Sequence, residues 1–286
     1  MEHPTILACT DGSVYAQSVY DHAAWAASRI NAHIRVLHLI DARSEATDHL
    51  DLSGSIGLDA RQKLKKELVA LDEARGRAAQ AKAAAILDDA RARLRVLRVS
   101  DLTVEAKHGR LPEAIEEYSA SAEIVILGKR GEEADFERLH LGANLERMIR
   151  SCRHPVLVTS RAFQPIEKVL IAYDGGPSAR KAIDYLLGSS LLTELALHLV
   201  AVGRPHPKIS DDLEATAGRC REAGFETTAR HLEGHPEEVF ASYLAEHGLD
   251  LLVMGAYGHS RIRQFIVGST TTTMVRTCRV PVLLFR

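Results

Sequence analysis

Glycine and hydroxyl residues recur in the segment GAYGHSRIRQFIVGST (residues 255–270) at a spacing that suits an anion. Gly255 and Gly258 have no Cβ atom, so the backbone there can approach a flat or charged ligand closely. Ser269 and Thr270 stand at the predicted start of a helix, where free amides and the helix dipole favour negative charge. Their hydroxyls can also donate hydrogen bonds to phosphate oxygens. The segment therefore indicates a phosphate-binding loop.

A carboxylate that could complete such a site stands far away in the sequence, at Asp174. It directly follows the apolar stretch VLIAY, and it can accept hydrogen bonds from a ribose or from an adenine edge. For each residue alone a structural role is the alternative, with the glycines serving turns and Ser269 or Thr270 capping the helix. The combination favours a nucleotide site, because loops from distant parts of the sequence each offer a group that a nucleotide needs.

Several function classes are disfavoured. The chain has no G-x-x-x-x-G-K-(S/T) and no G-x-G-x-x-G after its first strand, which argues against a Walker-type NTPase and a nicotinamide dehydrogenase. The formal net charge of −2 gives no reason to expect nucleic acid as a partner. No apolar run approaches the roughly 18 residues of a membrane span, so membrane insertion is not expected.

The N-terminus and the cysteines favour a cytoplasmic location. The first residues, MEHPTILACTDGS, lack the basic region and cleavage site of a signal peptide. The cysteines are scattered without metal-type spacing, which suits a reducing compartment. They are Cys9, Cys152, Cys220 and Cys278, of which Cys152 and Cys278 occupy equivalent positions before apolar strands and are expected to be buried packing residues.

The elements that must position the site occur twice along the chain of 286 residues. PTILACTDGS is answered by EKVLIAYDGG, AEIVILGKRG by LDLLVMGAYG, and SCRHPVLVTS by TCRVPVLLFR. The copies are offset by 163 residues at the first pair and by 127 at the second, so the first half carries 36 extra residues. The sequence predicts two domains, 1–160 and 166–286, with a helical insertion at about 50–98.

The insertion has helical spacing of apolar residues on both sides of Gly76, which predicts a helical hairpin broken at that glycine. Near its end stands a cluster of arginines, Arg91, Arg93, Arg95 and Arg98. We interpret them as a solvated helix end, with an anion patch as the alternative.

Each half alternates strands and helices. Strands such as VLIAY and LLVMG are apolar throughout, which is typical of a parallel sheet covered by helices on both faces. The predicted fold class is α/β, with two doubly wound five-stranded parallel-sheet domains. Strands are predicted at 4–9, 34–40, 102–107, 123–127, 155–159, 168–173, 196–202, 226–231, 250–254 and 280–285. Helices are predicted in the second half at 177–189, 209–223, 236–247 and 269–278.

The spacing Gly255-x2-Gly258-x9-Gly268-Ser269 resembles the G-x2-G-x9-G-(S/T) pattern of the universal stress protein family. The strand ends YDGGPSARKA and CTDGSVYAQS are similar to that family's opening, and the resemblance covers essentially the whole chain as a tandem two-domain member. It implies a flavodoxin-like, adenine nucleotide alpha hydrolase-like fold. It also implies a stress-response protein that binds ATP, or ADP or AMP, with Mg²⁺ as an optional counter-ion.

The resemblance assigns roles to residues of the second half. The adenosine end would be met by Ala172, Tyr173, Asp174, Ala201 and Met254. The ribose and phosphates would be lined by Gly255 and Gly258. The phosphate tail would be held by Gly268, Ser269, Thr270 and Thr271.

The first half carries a degenerate copy of this site, marked by Asp11, Gly128, Gly131 and Gly142. Ten residues rather than nine separate its last two glycines, and the helix then opens without a hydroxyl. The intervening EEADFERLHL is acidic and would repel a triphosphate, which Lys129 and Arg130 could offset only in part. We expect nucleotide in the second half, and weak or no binding in the first.

No set of residues forms a convincing catalytic constellation. His259 is interpreted as an exposed loop residue, His38 as a strand residue with a satisfied ring nitrogen, and Pro236 with its acids as a helix start. A nucleotide-sensing regulatory protein is favoured, with a slow ATPase as one alternative. Another is an adaptor that binds no nucleotide and recruits a partner through the helical insertion.

The last strand of each half, HPVLVTS and VPVLLFR, is apolar and would form a sheet edge that needs covering. The two edges are predicted to pair within the chain as an intramolecular pseudo-dimer. Further association into a homodimer is left open.

Overall fold

The computed structural model describes residues 3–40, 58–109, 111–129, 145, 149, 152–204, 206–256 and 269–286. The strands in these ranges are β1 (Thr5–Thr10), β2 (His33–Ile40), β3 (Leu102–His108), β4 (Ala122–Gly128), β5 (Val156–Thr159), β6 (Lys168–Ala172), β7 (Ala196–Val202), β8 (Thr227–Leu232), β9 (Leu251–Gly255) and β10 (Val282–Phe285). The helices are α1 (Ala16–Ile30), α2 (Leu58–Val96), α3 (Leu111–Ser119), α4 (Pro177–Gly188), α5 (Pro207–Glu222), α6 (Pro236–His247) and α7 (Ser269–Thr277), with a 3-10 turn at Ser190–Leu192.

All these strands lie in one sheet, in the order β3-β2-β1-β4-β5-β10-β9-β6-β7-β8. Within each half the strands are parallel and follow the order 3-2-1-4-5. The halves meet where β5 and β10 pair antiparallel, with Leu157 opposite Leu283. The predicted doubly wound α/β class is confirmed. Flavodoxin itself has the order 2-1-3-4-5, so the likeness to flavodoxin lies in the layers rather than in the strand order.

Every predicted strand and second-half helix is present, with ends that differ by at most two residues. The strands are apolar on both faces because each face of the sheet carries its own core. Leu170 and Ile171, neighbours in β6, are both fully buried and belong to opposite cores. The expectation that Cys152 and Cys278 are buried is also confirmed, and Cys9 and Cys220 are buried free thiols as well.

The predicted helical hairpin is wrong, because α2 runs without a break through Gly76. One glycine inside a helix costs only about 1 kcal/mol relative to alanine, and strong helix formers flank it on both sides. A Cβ at Gly76 would meet nothing within 4 Å, so no packing constraint acts there. The C-terminal half of α2 is anchored to the domain by buried side chains, which are Ala83, Ile86, Leu87, Ala90 and Leu94.

The extra residues of the first half lengthen one crossover helix. The C-terminal part of α2 joins β2 to β3, as α5 joins β7 to β8, but α2 has 39 residues and α5 has 16. In the N-terminal part of α2, Val69 and Leu71 are 49% and 44% exposed. The rest of the insertion, residues 50–57, lies outside the described residues.

Two of the four arginines near the end of α2 are engaged by neighbouring groups. Arg93 forms two hydrogen bonds, of 2.7 and 2.8 Å, with the carboxylate of Asp21 in α1. Arg91 pairs with Asp88 one turn earlier and also donates to the carbonyl of Val104. These two guanidinium groups therefore fasten α2 to its neighbours.

The segment between β5 and β6 is held against α1. Ser18 donates a hydrogen bond of 2.7 Å to the carbonyl of Ser160, and the ring of His22 meets Phe163 edge-on at 4.9 Å between centroids. His22 is fully buried, and its Nδ1 lies 2.7 Å from the carbonyl of Ser18. Burial lowers the pKa of His22 to about 4. The histidine is therefore a neutral packing residue at the junction of the two halves.

Candidate functional site

The candidate site lies at the carboxyl ends of β6 and β9, where the strand order of the second half reverses. β7 lies on one side of β6 and β9 on the other, so Ala172 has Val200 and Met254 as its neighbours across the sheet. The helices that follow β6 and β9 pack on opposite faces of the sheet, which is the arrangement that forms a ligand crevice at the strand ends of open α/β sheets. Ala172, Met254 and Gly255 are thus brought together at one edge of the sheet.

The loop after β6 is shaped by Asp174. Its Oδ1 accepts a hydrogen bond of 2.8 Å from the amide of Gly176, which closes a tight turn before α4. Gly175 has φ of 68°, a left-handed conformation that glycine adopts without strain. Asp174 is exposed at this edge. A carboxylate in that position can accept hydrogen bonds from a ligand while it holds the turn.

The side chain of Tyr173 points to α5, whereas the sequence predicted that this residue meets the adenosine end of a nucleotide. It is 3% exposed, and its hydroxyl donates a hydrogen bond of 2.6 Å to Asp212 in α5 and accepts one of 3.1 Å from Thr216. Burial and the bond to Asp212 raise the pKa of Tyr173. The ring therefore ties β6 to α5. No pattern in the sequence distinguished Asp212 from the other acids of that helix.

Asp212 also forms an ion pair with Arg180 in the first turn of α4, with 3.2 Å between the guanidinium nitrogen and the carboxylate oxygen. The hydrogen bond from Tyr173 and the charge of Arg180 lower the pKa of Asp212. A Cβ at Gly175 would lie 3.3 Å from the carboxylate of Asp212. This acid therefore sets the distance between α5 and the loop after β6.

The residues predicted to meet the adenosine end fall on both faces of the sheet. Tyr173 and Ala201 belong to the core beneath α4 and α5, with Ala201 2% exposed. Met254 belongs to the core on the other face, and Ala172 packs against that core. A flat ligand at the strand ends could contact Ala172 and Met254 together, but it could not cover all four side chains from one side.

Gly255 has a packing reason for lacking a side chain. A Cβ there would lie 2.9 Å from Cβ of Ser178 and 3.5 Å from the amide nitrogen of Ala179, both in the first turn of α4. The strand and the helix could not approach so closely with any other residue at this position. This packing reason differs from the turn that the sequence offered as the structural alternative, and it applies with or without a ligand. Gly258 and Gly268 lie outside the described residues.

The predicted helix over 269–278 is present as α7, whose described residues are Ser269–Thr277. Thr270 donates a hydrogen bond of 2.7 Å to Oε1 of Glu237, and this bond is the main reason why the pKa of Glu237 is lowered. Thr271 is 6% exposed. The hydroxyl of Thr272 is buried and has no hydrogen-bond partner among the described residues. The first turn of α7 therefore carries hydroxyl groups, one of them bound to a carboxylate.

Glu237 was not foreseen as a neighbour of the site. The sequence predicted that Pro236 and its acids begin a helix, and α6 does begin at Pro236. The packing of α6 against α7 then brings the carboxylate to Thr270. Such a contact between residues 33 positions apart leaves no periodic trace in a single sequence.

Comparison with known proteins decides the family. The family model for the universal stress protein family matches residues 3–160 and 165–286. The chain belongs to the universal stress protein family. A curated member from a Synechocystis strain, universal stress protein Slr1230, is 43% identical over 284 residues, which is 98% of this chain and 99% of that protein.

Solved structures agree on the fold. A universal stress protein from Archaeoglobus fulgidus is similar with a TM-score of 0.66 and 19% identity, over 100% of this chain and 97% of that one. A protein of unknown function from Pseudomonas aeruginosa is similar with a TM-score of 0.60 and 17% identity, over 99% of this chain and 92% of that one. These two likenesses confirm the fold.

In the first half of this universal stress protein, the loop after β1 has the same kind of turn as the loop after β6. Oδ1 of Asp11 accepts a hydrogen bond of 2.9 Å from the amide of Ser13, and Gly12 has φ of 78°. A Cβ at Gly12 would lie 2.7 Å from Ile86 in α2, so the insertion helix packs directly on this loop. Gly128 ends β4, whereas Gly131 and Gly142 lie outside the described residues.

The remaining candidate residues have structural roles or lie outside the description. His38 is buried, and its Nδ1 lies 2.9 Å from the carbonyl of Thr10, so the prediction of a satisfied ring nitrogen is confirmed. His259 falls among residues 257–268, which are not described. Across the described ranges no group of three or more His, Cys, Asp and Glu side chains could hold a metal ion. No helix in those ranges is long and apolar enough to cross a membrane.

Proposed function

We propose that this universal stress protein is a stress-response regulatory protein that binds ATP, or ADP or AMP, through its second half. The observation that carries the proposal is that β6 and β9 are neighbours where the strand order reverses, and that each is followed by a feature suited to a nucleotide. The exposed Asp174 closes the loop after β6, and the motif that follows β9 ends at the N-terminus of α7. Family membership supports the proposal, because this motif is the part of the family pattern that suits a nucleotide.

The proposed division of labour follows from the chemistry of each group. Asp174 accepts hydrogen bonds from the ribose, and the base lies against Ala172 and Met254 at the strand ends. The free amides at the start of α7 receive the phosphates. Tyr173 and Ala201 support the site from the opposite core and do not touch the base. Gly258, Gly268 and Ser269 complete the phosphate loop in this proposal.

Glu237 affects which nucleotide is favoured. Its carboxylate lies within hydrogen-bond reach of Thr270, so a phosphate tail near that hydroxyl would meet a like charge. Mg²⁺ as a counter-ion would relieve this repulsion, and Glu237 and the phosphates are oxygen ligands of the kind that Mg²⁺ prefers. A monophosphate would meet less repulsion than a triphosphate. We therefore propose that affinity for ATP depends on Mg²⁺ more strongly than affinity for AMP.

The first half is proposed to bind nucleotide weakly or not at all. Its motif lacks the hydroxyl and carries acids, and Ile86 packs on the loop that holds Asp11. We further propose that residues 1–160 and 166–286 are two domains that form a pseudo-dimer within one chain in the cytoplasm. The antiparallel pairing of β5 with β10 supports this, because it leaves neither strand as a free edge.

Calorimetric titration of the full chain with ATP, ADP and AMP tests the proposal. We expect one nucleotide per chain. Asp174→Ala should weaken binding about tenfold or more, since hydrogen bonds to a charged group are lost. Asp11→Ala is the matched control, because Asp11 closes the same kind of turn in the first half. Two nucleotides per chain would contradict the assignment of the first half, and no binding by the parent chain would overturn the nucleotide proposal.

An adaptor that binds no nucleotide is the second candidate, and the exposed apolar residues Val69 and Leu71 on α2 favour it. The two functions differ in a simple observation. Protein purified without added nucleotide is denatured and filtered, and the filtrate is examined for adenine absorbance. Adenine in the filtrate supports the nucleotide function. Its absence, together with no calorimetric binding, supports the adaptor.

A further inference from the structure

A lysine of the first half lies at the far end of the helix that begins the proposed phosphate site. Lys129 follows β4, and its Nζ donates a hydrogen bond of 2.6 Å to the carbonyl of Cys278. Cys278 comes directly after α7, and its amide bonds to the carbonyl of Met274 at 2.8 Å, which continues the helical pattern. The ammonium group therefore caps the C-terminus of α7 from the opposite half of the chain.

Such a contact has two physical effects on α7. A cation at a helix C-terminus interacts favourably with the helix dipole, and it satisfies a carbonyl that has no partner within the helix. The described part of α7 has nine residues, and a short helix is marginal in water without tertiary support. Met274 and Val275 are fully buried and provide part of that support. Lys129 adds a charged anchor at the C-terminal end.

We propose that Lys129 is a positioning residue for phosphate binding in the second half. It holds α7 so that the free amides at Ser269 and Thr270 stay directed at the phosphate. This inference rests on the proposed nucleotide function. It also adds to the role expected for Lys129, which the sequence suggested as a partial compensation for acids in its own half. The side chain makes a direct contact with the other half.

The contact has no charged counterpart in the reverse direction. Gly128 matches Gly255 in the internal repeat, so the position equivalent to Lys129 is Ala256, and Cys278 matches Cys152. Ala256 is 1% exposed and carries no charge. Its amide is engaged with the carbonyl of Phe285. The half with the incomplete motif thus supports the half with the complete one, and it does not receive the same support.

The test compares Lys129→Met with Lys129→Arg in the full chain. Lys66→Met is the control, because it removes the same charge from an exposed position on α2. Affinity is measured for ATP and for adenosine, which lacks phosphate. We expect Lys129→Met to weaken ATP binding about fivefold and to leave adenosine binding unchanged. Lys129→Arg should restore most of the ATP affinity, and Lys66→Met should match the parent.

Two affinity results would overturn the inference. One is ATP binding by Lys129→Met that equals that of the control. The other is an equal loss for ATP and adenosine, which would indicate general loosening of the chain. If the parent binds no adenine ligand, the proposed function fails, and amide hydrogen exchange at residues 273–278 decides the inference separately. Faster exchange in Lys129→Met than in Lys66→Met supports the capping role, and equal exchange refutes it.

Discussion

The hydroxyl of Thr270 donates a hydrogen bond of 2.7 Å to the carboxylate of Glu237, at the helix end proposed to bind phosphate. A negative charge there opposes a phosphate tail, and it also occupies a hydroxyl that the tail could use. The site as it stands therefore combines groups that attract an anion with one that repels it. This balance can be shifted by single substitutions.

Glu237→Gln should strengthen ATP binding about threefold, because a neutral amide removes the repulsion at a partly exposed position. AMP should gain less, since it places less charge near the site. Glu238→Gln is the control, because Glu238 is exposed and adjacent. Calorimetric titration in the absence of Mg²⁺ gives the comparison. Equal ATP affinities for the parent, Glu237→Gln and Glu238→Gln would show that the charge of Glu237 does not act on the bound phosphates.

Gly255→Ala should lower the free energy of unfolding by about 1–3 kcal/mol, because the new methyl group overlaps Cβ of Ser178 at 2.9 Å. Gly218→Ala is the contrasting variant. It lies inside α5, where a Cβ meets nothing within 4 Å, so it should stabilise the protein by about 0.5–1 kcal/mol. Urea unfolding measures both. A neutral Gly255→Ala would mean that α4 can move away from β9 without loss.

Tyr173→Phe should lower the free energy of unfolding by about 1–3 kcal/mol, because Asp212 and Thr216 lose their shared partner. The affinity for nucleotide should stay within a factor of about two, since the hydroxyl faces α5 rather than the crevice. Urea unfolding and calorimetric titration are run on the same variant. A large loss of nucleotide affinity without a loss of stability would indicate that the hydroxyl of Tyr173 contacts the ligand.

Acid should destabilise the fold through His22. Its pKa is about 4 in the folded state and 6.5 as a free side chain, so the unfolded chain binds a proton first as the pH falls. The contribution is complete above pH 6.5 and is lost progressively between 6.5 and about 4, by at most about 3 kcal/mol.

Urea unfolding at several pH values tests this contribution. His22→Gln should flatten the dependence in that window. His206→Gln, at an exposed position before α5, should leave it as in the parent. An unchanged slope in His22→Gln would assign the acid sensitivity to other groups.

The sequence predicted the elements well because each strand is an apolar run and each second-half helix has a proline or a glycine motif at its start. Pro177 and Pro236 begin α4 and α6 as expected. Gly76 misled, since one glycine cannot outweigh the helix formers around it. The helix propensity of the surrounding residues, rather than the single glycine, determined that this segment is one continuous helix.

The site was predicted less completely, because its contacts join residues that are distant in the chain. A pattern of alternation could not show that the side chain of Tyr173 points to α5, or that Glu237 reaches Thr270. Gly255 was found by its spacing, but the collision with Ser178 that excludes a side chain depends on how α4 packs. Lys129 was noticed for its charge, but its contact with Cys278, 149 residues away, could not be predicted from one sequence.

The two halves that pair antiparallel through β5 and β10 belong to one polypeptide. In an assembly of two identical chains, every substitution appears twice, and a residue that helps its partner must be tolerable in both copies. Here a substitution in one half is not repeated at the equivalent position of the other. One half is therefore free to lose its hydroxyl and to acquire Lys129, while the other keeps the small Ala256 at the equivalent place. Equivalent positions in the two halves can therefore differ, which is impossible in an assembly of two identical chains.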